Sequence, residues 1–153
     1  MSWLAFIHAL LGAVLLAGLV VAIWQSLFPI GRSLRAIRSN AVAMAAVAVV
    51  IDVLGDIVYT AYRVKTATSP RSIILAGNSP WVHEILMEFK EHAAHFVPAL
   101  LLVAIALVFV YDIRRKENGT ARKAVAAVFA LALLMTVTIL LMGAFINNAA
   151  PIR

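Results

Sequence analysis

The 153-residue chain contains no cysteine, which excludes disulfides, thiolate metal sites, iron–sulfur ligation and thiol redox chemistry in any compartment. Charge is also scarce: 13% of residues are Asp, Glu, Lys or Arg, against 64% apolar, a balance outside the range of soluble domains. There is no glycine-rich phosphate loop and no evident Ser, His and Asp set for nucleophilic catalysis. Any redox chemistry therefore needs a bound cofactor.

What is present is apolar sequence gathered into four long stretches, over residues 4–28, 41–62, 93–111 and 124–146. Each is near the roughly 20 residues that cross a bilayer as a helix. Unpaired backbone groups are costly in hydrocarbon, so each stretch is expected to be helical. The start, Met1-Ser2-Trp3, lacks the positive charge of a secretion signal, and the first stretch reads as a helix of the mature protein. The fold expected is all-α: one antiparallel, up-down-up-down four-helix transmembrane bundle over residues 1–153, with helices near 4–28, 41–62, 81–112 and 122–147. The segment before the third span divides into a loop over 66–80, rich in Ser, Thr, Pro, Gly and Asn, and a helical extracytoplasmic part from Trp81 to His92. Pro98 leaves open whether that part runs straight into the span or breaks before it.

The net charge of +6 is a matter of topology, not of nucleic-acid binding, because the basic residues flank membrane spans. Arg32, Arg35 and Arg38 follow the first stretch, and Arg114, Arg115, Lys116, Arg122 and Lys123 follow the third. Both links are expected in the cytoplasm of a cell whose inner membrane holds the chain. The N-terminus, the segment 63–91 and Arg153 then lie outside. Trp3, Trp24, Tyr62 and Tyr111 sit where interfacial aromatics belong.

Ionisable side chains at membrane depth are expensive and mark function. The first stretch has His8, the second Asp52 and Asp56, and the third His95, preceded by Glu88, Glu91 and His92; 124–146 has none. Asp52, Asp56, Tyr59 and Arg63 share one helix face, and Glu88, His92 and His95 follow i, i+4, i+7. All but Asp52 belong to the outer half.

The leading expectation is a haem b near the outer face, held by His8 and one of His92 or His95, in a membrane electron-transfer protein that exchanges electrons with quinol or a partner redox subunit. In architecture this resembles the small membrane b-type cytochromes. Asp56 is expected to accept a hydrogen bond from a ligand imidazole, with Arg63, Lys65 and Arg71 near the propionates. An alternative is a single non-haem ion (iron, zinc or copper) bound or transported by Glu88, Glu91, His92 and His95 with His8 or Asp56. Glu-x-x-His pairs, which would suggest a di-iron centre, are missing. A third reading is a non-catalytic anchor or assembly subunit of a larger complex. Against all three stand plain structural roles: Glu84, Glu88, Lys90 and Glu91 as a solvated face, and neutral Asp52 or Asp56 satisfied by Thr136 or Thr138. Topology is tested first: a reporter fused at Ser69 is expected to show extracytoplasmic activity, and cytoplasmic activity there would invert the assignment.

Overall fold

The computed structural model describes residues 3–29, 31 and 33–151; Met1, Ser2, Arg32 and Arg153, named above, lie outside the described residues. All regular structure among the described residues is helical. Helix α1 spans Trp3–Leu27, α2 Leu34–Tyr62, α3 Pro70–Ala76, α4 Glu88–Ala94, α5 Phe96–Val110 and α6 Gly119–Ala149. A π-helical turn, Val82–Met87, leads into α4, and a 3₁₀ turn, Lys116–Asn118, into α6. Four helical stretches are long and apolar enough to cross a membrane: α1, α2, the run Val82–Val110 and the run Lys116–Ala149.

Helix α2 starts at Leu34, seven residues ahead of the apolar run that announces it. Ser33 caps it, its hydroxyl accepting from the Ala36 N–H at 3.0 Å, and arginine is a good helix former. The basic link is thus mostly the first two turns of α2. Arg38 there donates to the carbonyls of Val108 (3.0 Å) and Phe109 (2.9 Å), which the end of α5 leaves without helical partners. Just beyond, Arg114 grips the Asp112 carboxylate through Nε at 2.9 Å and Nη2 at 2.8 Å, holding that carboxyl down at about 2.

The loop expected over 66–80 contains α3, and this corrects the reading by composition. Ser69 accepts from the Ser72 N–H at 3.2 Å and Pro70 occupies the first turn, where its missing N–H costs nothing. The single helix expected over 81–112 is resolved into the π-helical turn, α4 and α5, interrupted at His95. Pro98 has no N–H for the Ala94 carbonyl and its ring crowds that turn, so the break falls three residues before the proline.

Helix α1 packs on α2 and α6, and α5 packs on the same two. The core between them, including Leu19, Ala45, Leu101, Ala104, Phe129 and Ala132, mixes small and large side chains so that backbones approach closely. A second apolar cluster, Tyr62, Ile74, Val82, Met87, Ile146 and Ala150, closes the end that carries α3. Leu102, Val110, Leu134 and Leu141 are exposed on the outside, a surface suited to lipid. Gly18 is a close point between α1 and α2, since a Cβ there would overlap the Met44 side chain. Gly18→Val is therefore expected to destabilise the protein by about 1–3 kcal/mol in detergent thermal unfolding, with part of the loss recovered by adding Met44→Ala. An unchanged melting temperature would contradict this packing.

Candidate functional site

Below the α3 end the four long helical stretches part to leave a cavity of about 270 Å³. His8 reaches it from α1, Asp52 and Asp56 from α2, Lys90 and Glu91 from α4, and His95 from the break between α4 and α5. The rest of the wall is largely apolar, with Leu15, Ile139 and Leu140 among it. Two glycines lie beside the polar groups, and at Gly55 a larger residue would crowd His8. A Cβ at Gly55 would stand 3.3 Å from Cε1 of His8, and one at Gly143 would stand 3.5 Å from Cε of Lys90.

The polar contacts divide into two layers. In the deeper layer the Nδ1–H of His95 donates to both oxygens of Asp52, at 2.9 and 3.0 Å. That fixes the tautomer and leaves Nε2 as the ring nitrogen available to a ligand. Nearer the α3 end Tyr59 donates to Oε1 of Glu88 at 2.9 Å. Beside it, the buried His83 accepts from Nε of Arg71 at 2.9 Å through Nε2, and its Nδ1 lies 3.1 Å from the Tyr62 hydroxyl. An Nε2 that accepts from a guanidinium carries no proton, so the ring is neutral and Nδ1–H donates to the tyrosine oxygen. Lys90 donates to Glu91 at 3.0 Å, with both side chains only 13% exposed.

Several sequence expectations change here. The carboxylate that holds a histidine is Asp52, not Asp56; the two lie one turn apart, and only Asp52 is level with the break at His95. Thr136 and Thr138 satisfy themselves within α6, on Ala132 and Leu134, and not on either aspartate. Lys90 and Glu91 face the cavity and are no solvated face. His92 is exposed, bonded through Nδ1 to the Glu88 carbonyl at 2.6 Å, so His8 and His95 are the histidines that share the cavity. Glu88 stands outside the lining, and Arg63 is exposed with its guanidinium 5.1 Å from the Tyr59 ring centre. His83, at the centre of the α3-end network, drew no expectation; its place in the i, i+4 row with Met87 and Glu91 was the available signal.

The buried Nδ1 of His8 has no hydrogen-bond partner among the described residues. An unsatisfied buried nitrogen costs roughly 1–3 kcal/mol, so a ligand that supplies a partner gains that much. Among the described residues no three His, Asp or Glu side chains gather closely enough to hold one metal ion, which leaves the Glu88, Glu91, His92, His95 set dispersed. No family model matches the chain, and neither a curated protein nor a solved structure is significantly similar to it.

The Asp52–His95 contact is measurable without any ligand. A double-mutant cycle of Asp52→Ala with His95→Ala is expected to give a coupling of roughly 0.5–3 kcal/mol in unfolding free energy, and Asp56→Ala with His95→Ala less than about 0.5. Equal couplings would contradict the assignment of Asp52.

Proposed function

We propose that the protein is a multi-pass inner-membrane redox component whose cavity binds the headgroup of a quinone and its quinol. The observation that carries this reading is a ring-sized space, among helices long and apolar enough to cross a membrane, whose wall presents His95 clasped by Asp52 and His8 with its buried Nδ1 lacking a partner. A dry cavity of about 150 Å³ accepts benzene, and ligand pockets start near 300 Å³, so about 270 Å³ suits one substituted ring. Lys90 offers a hydrogen bond to a carbonyl oxygen of a quinone, and Nδ1 of His8 offers a partner to a hydroxyl of the quinol. Nε2 of His95 offers an acceptor to a quinol hydroxyl, with the Asp52 carboxylate stabilising the imidazolium that forms when the proton moves. The electrons pass to a metal centre of a partner subunit, which fits the chain as the membrane anchor of a larger assembly. In this reading the four spans form an antiparallel bundle, the basic ends of α2 and α6 face the cytoplasm, and the α3 end and the quinone site lie toward the outside.

One observation favours a second reading, haem b. His8 and His95 line one cavity from α1 and from the junction of α4 and α5, and the Asp52 contact on Nδ1 of His95 is the kind that would orient an imidazole holding a metal. The two imidazoles are a donor set that could hold a haem, which would supply one-electron chemistry, but its macrocycle needs more room than about 270 Å³ and the cavity as it stands does not fit it.

Binding of a short-tailed ubiquinone or menaquinone analogue to the protein in nanodiscs separates the two. His8→Ala and His95→Ala are each expected to weaken binding roughly tenfold, and His92→Ala to leave it unchanged. Equal binding by all three variants would remove the quinone reading. A Soret band in the purified protein, lost in His8→Ala and in His95→Ala, would replace it with haem.

A further inference from the structure

The walls of the cavity are not equally closed. The α3 end is roofed by Tyr62, Val82, Met87 and Ile146, all 5% exposed or less. The opposite end is floored by the main core, where Leu15, Ala48 and Val97 are buried. On the sides, α1 packs on both α2 and α6, while the π-helical turn and α4 lean on α6. The remaining side, between α2 and α4, is spanned by polar contacts. Asp52 to His95 forms one crossbar and Tyr59 to Glu88 the other.

The two crossbars are in register. Seven residues separate Asp52 from Tyr59 on α2, and seven separate Glu88 from His95 on the facing segment. At about 1.5 Å per residue the gap between the crossbars is roughly 10 Å high, enough for a flat ring to pass edge-on. Gly55 and Asp56 stand between them on α2, the glycine adding no side chain. Exposure marks the same side: Asp56 is exposed and the His95 side chain is 54% exposed, although both line the cavity. Helix α2 and the run Val82–Val110 are both long and apolar enough to cross a membrane, and in the quinone reading the side between them looks onto lipid.

We infer that the cavity is loaded sideways from the bilayer, through a window between α2 and α4 framed by Asp52–His95 and Tyr59–Glu88, and that its ligand is an isoprenoid-tailed quinone whose tail stays in the lipid. The inference rests on the quinone reading and narrows it, since a roof of buried apolar side chains and a floor of core exclude a water-soluble ring arriving along the bundle axis. The two crossbars differ in kind. Asp52–His95 belongs to the binding groups, whereas Tyr59–Glu88 only braces the frame.

A chain without cysteine allows the window to be plugged chemically. Asp56→Cys places a thiol in the opening, Ala94→Cys places one on the opposite jamb, and Val53→Cys, exposed on the outer surface of α2, is the control. Each variant in nanodiscs is labelled with a bulky disulfide-forming reagent, and binding of a long-tailed quinone is followed by stopped flow before labelling, after labelling and after reduction. Labels at 56 or 94 are expected to slow association roughly tenfold, with recovery on reduction, and the label at 53 to have no effect. Unchanged association with labels at both 56 and 94 would overturn the window while leaving the headgroup site standing. Failure of the unmodified protein to bind any quinone would overturn the headgroup reading, and the window as a quinone route with it.

Discussion

Every polar group carried into hydrocarbon must find its partner inside the protein, and the arrangement of this molecule follows from that constraint. Ser26 and Thr136 return their hydroxyls to carbonyls one turn back, at 2.7 Å each. Asn40 donates to Gln25, Arg38 to the end of α5, and Lys90 to Glu91. Asp52 takes His95. With these groups satisfied internally, most of the outer surface is apolar, and among the described residues Nδ1 of His8 stands out as a buried nitrogen without a partner. A binding site in such a molecule is legible as a failure of self-satisfaction.

The break at His95 connects the backbone to that site. An uninterrupted helix through Pro98 would force the proline ring against the preceding turn, and the chain relieves this by ending α4 at Ala94 and restarting at Phe96. The residue at that interruption, His95, keeps right-handed helical dihedrals (φ −65°, ψ −19°) and is the histidine that meets Asp52. The π-helical turn Val82–Met87 precedes it on the same segment, and such wide turns are frequent at functional sites. Here it accompanies His83 turned inward to Arg71 and Tyr62, which ties α3 over the end of the cavity.

Length and apolarity were enough to read four membrane-length helices, because the hydrocarbon thickness sets a minimum run that few soluble sequences reach. Helix ends were less legible. Arg35 and Arg38 interrupt an apolar run without interrupting a helix, so α2 begins before its hydropathy does, and α3 hides in a segment whose Ser, Pro and Gly content reads as loop although Ser69-Pro70 is a cap signature. The sharing of one site by His8 and His95 was expected from the cost of ionisable groups in lipid, but Asp52, placed nearer the midplane than the rest, was not expected to join them. Choosing Asp52 over Asp56, or His95 over His92, requires depth to within one turn, which periodicity does not encode. Lys90 and Glu91 were misread for a related reason: adjacent charges usually flank a solvated face, and nothing in the periodicity says that this pair turns inward to the cavity.

The central claim is that a flat quinone ring occupies the cavity between His8 and His95. Photolabelling with an azidoquinone, followed by peptide mapping, tests it most directly. The account predicts label on the cavity-lining stretches of α1 around Ala5 to Gly12 and of α6 around Leu140 to Ala144, reduced by excess unlabelled quinone. Label confined to lipid-facing positions such as Leu102 and Leu134, and insensitive to competition, would contradict it.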